Sequence, residues 1–143
     1  MPTNVDPTPA LERVFPNQLE SLGQATEEAV NFLQQQGLAQ PALYAANLAI
    51  EELGTNILKY GYDDPGAHEI RLRLEVHATY FLISLEDDGH EFNPLLSPAP
   101  DLTLGVEERQ PGGLGLALVR QFSDQVDYQR LAGRNRVTIR ISR

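Results

Sequence analysis

Glu52 and Asn56 stand four residues apart in the run Glu51-Glu52-Leu53-Gly54-Thr55-Asn56-Ile57-Leu58-Lys59-Tyr60. Four residues make one helical turn, so the two side chains share a face. An Asn carbonyl oxygen is a neutral, hard ligand suited to Mg²⁺, which prefers oxygen and keeps several waters. A carboxylate one turn earlier can take a proton from an attacking hydroxyl, or hold a metal-bound water. An isolated Glu-x-x-x-Asn is more often a solvated helix face, so the pair needs context.

Two further segments supply that context. Asp87 opens Asp87-Asp88-Gly89-His90-Glu91-Phe92-Asn93-Pro94 and is in phase with Phe81, Ile83 and Leu85, so it is expected to point inward. A carboxylate there costs free energy unless it is paired or hydrogen-bonded. An adenine amino group and a fixed water would satisfy it, and Gly89 lets backbone or ligand approach without a Cβ. Asp-Asp-Gly is also a common turn sequence. The third segment, Gly112-Gly113-Leu114-Gly115-Leu116, opens a helix. Glycines at a helix start expose N–H groups, and the macrodipole favours an anion there, so Gly113, Leu114, Gly115 and Leu116 form a candidate phosphate cradle. A flexible hinge is the plainer alternative. Taken together, the three segments offer a metal ligand beside a carboxylate, an acid for adenine and a turn for phosphate. They read as one nucleotide site.

These residues need elements to place them. A strand is expected over Leu11 to Phe15, with Asn17 capping a helix that runs to about Gln36 and stops at Gly37. A second helix starts near Pro41 and ends near Gly61. Its stripe of Leu43, Ala46, Ile50, Leu53 and Ile57 leaves Glu52 and Asn56 at the edge of the core. Strands with alternating apolar residues follow at Ile70–Val76 and Phe81–Asp87, joined at His77-Ala78-Thr79. The proline-bearing stretch from about 94 to 112 reads as a lid, since a loop that long in a small domain is usually functional or disordered. A third helix from Gly113 to Ser123 and two strands, Val126–Leu131 and Arg136–Ile141, joined by a turn at Ala132-Gly133, complete the order. The expected fold class is α+β: a two-layer sandwich with three helices on one face of a mostly antiparallel sheet. Residues 1–9, with three prolines, read as a disordered tail and 10–143 as a single domain.

Composition narrows the chemistry. The 143 residues are 41% apolar, enough for one core, and carry a net charge of −9. That charge argues against broad nucleic-acid binding. With no cysteine there is no disulfide, thiolate metal site or cysteine nucleophile. His68, His77 and His90 show no HExxH spacing, and Lys59, the one lysine, lies outside any GK[ST] sequence. HRD and DFG triplets are absent, which removes the ordinary protein kinases. The start resembles no signal peptide and no stretch approaches a membrane span, so a cytoplasmic protein is expected. Arg109 and Arg120 are candidates to offset acidic charge near the lid.

The three segments resemble the gyrase, heat-shock chaperone, histidine kinase and MutL ATPases (the GHKL superfamily) from about Leu11 to Ile141. Glu52-Leu53-Gly54-Thr55-Asn56 matches the N box of that superfamily. Asp87 to Pro94 matches its first glycine box, and Gly112 to Leu116 its second. The D-x-G-x-x-F form, with Glu91 where histidine kinases have a second glycine, is similar to the stand-alone anti-sigma factor serine kinases. The resemblance implies ATP and Mg²⁺ as cofactors. It implies Asn56 as the metal ligand, Glu52 as the catalytic base, Asp87 and Gly89 at the adenine, and Gly113 to Leu116 at the phosphates. It further implies a serine/threonine kinase that binds a sigma factor, phosphorylates a small STAS-type antagonist, and forms a homodimer. The alternative is a non-catalytic module that uses ATP or ADP only to switch partner binding. No phospho-accepting histidine on a dimerisation helix pair is present, so a self-contained sensor kinase is not expected.

Overall fold

Alternation of apolar and polar residues builds the sheet. A computed structural model describes residues 7–96 and 113–143. Its strands are β1 (Ala10–Pro16), β2 (Glu69–Val76), β3 (Tyr80–Asp87), β4 (Gln125–Leu131) and β5 (Arg134–Ser142). Its helices are α1 (Leu19–Gln35), α2 (Gln40–Tyr60) and α3 (Gly113–Phe122). The strands lie in the order β1-β2-β3-β5-β4, every neighbouring pair antiparallel. Ile70, Leu72 and Leu74 of β2, Phe81, Ile83 and Leu85 of β3, and Val137, Ile139 and Ile141 of β5 turn to one face and are buried. The helices cover that face with Leu22, Ala29 and Leu33 of α1, Ala46, Ala49 and Ile50 of α2, and Leu116 and Val119 of α3. The expected two-layer α+β sandwich is the fold observed.

The opposite face is wet. Arg71 and Arg73 pair across strands with Glu12, and Arg134 and Arg136 with Glu86. Exposed pairs of this kind contribute about 0–1 kcal/mol each. They also station arginines on the far side of the sheet from the helices.

Helix ends follow local rules. Gly37, at φ +84, terminates α1, and Pro41 sits in the first turn of α2, where a missing N–H is harmless. Asn17 is not the cap of α1. Gln18 occupies that position without a side-chain bond, while the Asn17 amide donates to the Gly66 carbonyl and its oxygen accepts from the His68 N–H. Asn17 thus ties the start of α1 to the turn after α2, a contact between residues some fifty positions apart. The sheet also starts earlier than expected, since the Pro9 carbonyl accepts the Val76 N–H. A short 3-10 turn, Pro94–Leu96, follows β3. Residues 1–6 of the expected tail and 97–112 of the expected lid, with Arg109 and Gly112, lie outside the described residues. Among the described residues, no helix is long and apolar enough to cross a membrane.

Candidate functional site

Four polar side chains are buried in the described core: Thr26, Asn56, Asp87 and Asn135. Thr26 satisfies itself by donating to the Leu22 carbonyl one turn back. The other three line a single cleft, with Leu53, Ile57, Leu85 and Val137 as its apolar floor and Phe92 and Pro94 at its edge. Three of the four buried polar side chains of the described residues thus share one concavity, and convergent polar groups in an apolar cleft mark a candidate binding site.

Asn56 comes from α2. Its amide nitrogen donates to the Glu52 carbonyl at 2.8 Å. That bond spends the donor end on the helix and leaves the amide oxygen as the group able to meet a cation. The chemistry of this oxygen fits Mg²⁺. Among the described residues no cluster of three or more His, Asp or Glu is placed to hold a metal. A cation here would therefore draw its remaining oxygens from water and ligand, as Mg²⁺ commonly does.

Asp87 ends β3 and is 4% exposed, pointing inward as its phase requires. Its Oδ1 accepts the Gly89 N–H at 2.9 Å and the Asn135 amide at 3.1 Å. Burial pushes its carboxyl above the ordinary range, while those two bonds pull the other way. Both described hydrogen bonds fall on one oxygen, which leaves Oδ2 for a donor on a ligand. Gly89 is glycine because a Cβ there would lie 2.1 Å from the Gly61 carbonyl oxygen. That carbonyl accepts the His90 N–H, which locks the segment to the end of α2.

Asn135 was not among the residues singled out from the sequence. It pairs with Asp87 across β3 and β5 and is 2% exposed. Its amide nitrogen reaches both Asp87 and the His90 carbonyl, and its oxygen accepts from the Tyr128 hydroxyl at 2.5 Å and the Phe92 N–H at 3.3 Å. Arg130 adds a bond to the Gly89 carbonyl at 2.7 Å. One signal was available: Asn135 is in phase with Val137, Ile139 and Ile141, provided the last strand begins before Arg136, as β5 does at Arg134.

Glu52 is half-buried at the edge of α2 beside the first turn of α3. Burial pushes its carboxyl up, Lys59 opposes this, and Glu51 adds to it. Gly115 faces it: a Cβ on Gly115 would lie 2.0 Å from the Glu52 carboxyl carbon. Gly113 and Leu114 form the start of α3, and Leu116 enters the core. Gly54, between Glu52 and Asn56, packs on α1, where a Cβ would stand 2.5 Å from Leu22 Cδ1. Arg120 of α3 donates to the Pro94 carbonyl at 2.8 Å. The fold therefore assembles a buried acid with one oxygen that has no hydrogen bond among the described residues, an amide oxygen in the same cleft, and a carboxylate against a glycine-opened helix.

A family model described as a histidine kinase-like ATPase domain matches residues 15–141. The chain belongs to this family. Similar proteins include the serine/threonine-protein kinase BtrW of Bordetella bronchiseptica, 32% identical over 98 residues, which cover 67% of this chain and 68% of BtrW. Among solved structures, the RsbU and RsbW domains of Rv1364c from Mycobacterium tuberculosis match with a TM-score of 0.62 at 16% identity. That match covers 96% of this chain and 34% of the other, so the chain spans about a third of the length of that solved neighbour. At such identity the likeness is one of fold.

Proposed function

We propose that this protein is an ATP-dependent serine/threonine kinase of the anti-sigma factor type. The observation that carries the reading is the gathering of Asn56, Asp87 and Asn135, three of the four buried polar residues among those described, into one cleft. The name of the BtrW relative and the RsbW domain in the fold neighbour support the subfamily. Bound Mg-ATP would supply the transferable phosphoryl group and a cation to neutralise its charge. Asp87 Oδ2 would accept from the adenine amino group. Asn56 Oδ1 would ligate Mg²⁺, and the backbone from Gly113 to Leu116 would face the phosphates. Glu52 would take the proton from a serine or threonine hydroxyl on a partner protein. Its raised carboxyl pKa suits a base that must hold a proton briefly. The partners proposed are a sigma factor and a STAS-type antagonist, in a cytoplasmic setting, with the chain as a homodimer.

The test is calorimetric titration of Mg-ATP into wild type, Asn56→Ala and Glu52→Gln, followed by phosphoryl transfer to STAS-type proteins. Wild type and Glu52→Gln are expected to bind, Asn56→Ala to lose magnesium-dependent affinity, and Glu52→Gln to lose transfer by about 10²–10⁴-fold. Partner regulation that survives in Glu52→Gln would instead indicate a nucleotide switch. Absence of binding to wild type would end both readings.

A further inference from the structure

We infer that Gly115 is a positioning residue for Glu52: the first turn of α3 is the stop that sets where the Glu52 carboxylate stands. The inference rests on the reading of Glu52 as the base. A Cβ on Gly115 would lie 2.0 Å from the Glu52 carboxyl carbon and 2.2 and 2.5 Å from its oxygens. No second atom could occupy that space, so the absence of a side chain at 115 is what admits the carboxylate.

Both backbones that make the contact are held elsewhere. Gly54 seats α2 against Leu22 of α1, two residues from Glu52. Leu116 and Val119 bury α3 in the core, directly beyond Gly115. Neither helix can retreat without disturbing packed apolar contacts. The Glu52 carboxylate is different. Among the described residues, no hydrogen bond or ion pair holds it; only its backbone carbonyl is used, by Thr55 and Asn56. It is the free end of a flexible side chain, so it is the part that yields when position 115 grows.

A distinctive result follows. A methyl at 115 leaves the fold intact and moves the base. A glycine that served phosphate alone would behave otherwise, since its replacement would weaken nucleotide binding and leave Glu52 in place. The raised carboxyl of Glu52 provides a readout that needs neither acceptor protein nor nucleotide.

The experiment compares full-length wild type with Gly115→Ala by thermal melting, by carbon-detected titration of the Glu52 carboxyl (assigned with Glu52→Gln), and by Mg-ATP calorimetry. Gly115→Ala is expected to melt within about 2 °C of wild type. Its Glu52 titration is expected to fall toward the ordinary glutamate value, as the carboxylate swings into solvent. A folded Gly115→Ala whose Glu52 titrates as in wild type overturns the inference, whatever its affinity. If Gly115→Ala melts much lower, Glu52→Asp is added to shorten the opposing side chain. Recovery of the melt supports the contact, and no recovery overturns it. Should wild type bind no Mg-ATP, the proposed function falls, while the titration still decides whether Gly115 sets Glu52.

Discussion

At one end of the candidate site Asp87 is fixed by the Gly89 N–H and the Asn135 amide. At the other, Glu52 is bounded by a steric stop at Gly115, with no described hydrogen bond to its carboxylate. The Asp87 end is a network: Tyr128, Phe92, His90 and Arg130 all bond to Asn135 or to the glycine segment. The contrast matches two kinds of work. A group that recognises a ligand gains by being fixed beforehand, so that binding spends little on ordering it. A group that exchanges a proton needs access to water and room to move. Among the described residues, the side-chain hydrogen bonds around Asp87 and Asn135 gather at one end, and the Glu52 carboxylate at the other has none.

Asn135→Ala tests the contrast most severely. It strands the Tyr128 hydroxyl, the Phe92 N–H and the His90 carbonyl, and removes one of the two donors to Asp87. The expected loss is roughly 3 kcal/mol of stability by denaturant unfolding, on the scale of several unsatisfied buried groups. Affinity for Mg-ATP is expected to fall as well. Glu52→Gln is expected to change stability by no more than about 0.5 kcal/mol. Equal losses in the two variants would erase the distinction between the ends.

A smaller effect probes how the network is clamped. His68 presents Nε2 to Asp64 at 3.0 Å and Nδ1 to Asp88 at 3.1 Å, with its ring stacked on Tyr62. Two carboxylates can both be satisfied only by the doubly protonated ring. The Asp64 bond raises the His68 pKa, burial opposes this, and the charges of Asp64 and Asp88 add to the rise. The stabilisation is fully present below the unfolded value of about 6.5 and is lost as pH rises through the raised folded value. Wild type should therefore lose melting temperature as pH rises above about 6.5, and His68→Gln should flatten that slope. An unchanged slope would remove His68 from the clamp.

The smallest effect concerns the hairpin that delivers Arg130 and Asn135. Its two-residue turn holds Ala132 at φ 53 and Gly133 at φ 76. A left-handed alanine costs about 1 kcal/mol or more, and glycine returns part of this through chain entropy. Ala132→Gly is expected to raise stability by about 0.5 kcal/mol in thermal or denaturant melts. A loss instead would mean that the turn does not strain its alanine.

Much of this was legible before any coordinates. The alternation in β2 and β3 carried the sheet, and the phase of Asp87 carried its inward aim. The Gly89 requirement for close approach was also readable, although not the identity of the approaching group, Gly61. Asn17 was misread because its local sequence favours a cap, while a partner about fifty residues away, His68, takes its side chain. Asn135 escaped for a different reason. Strand ends are weakly marked in sequence, and placing the last strand at Arg136 put a core-facing residue into a turn. The contact between Gly115 and Glu52 had no signal at all, since it depends on how closely α2 and α3 pack.

Gly54 has two neighbours of opposite kind: Glu52 and Asn56 flank it in sequence, and Leu22 of α1 fills the space its side chain would occupy. Over evolutionary time this ties a distant position to the heart of the site. A lineage that gains a methyl at 54 must shrink residue 22 in the same step, or let α2 roll and carry Glu52 and Asn56 out of register. Positions 22 and 54 should therefore drift as a pair among descendants that keep the activity, and drift independently among those that have lost it.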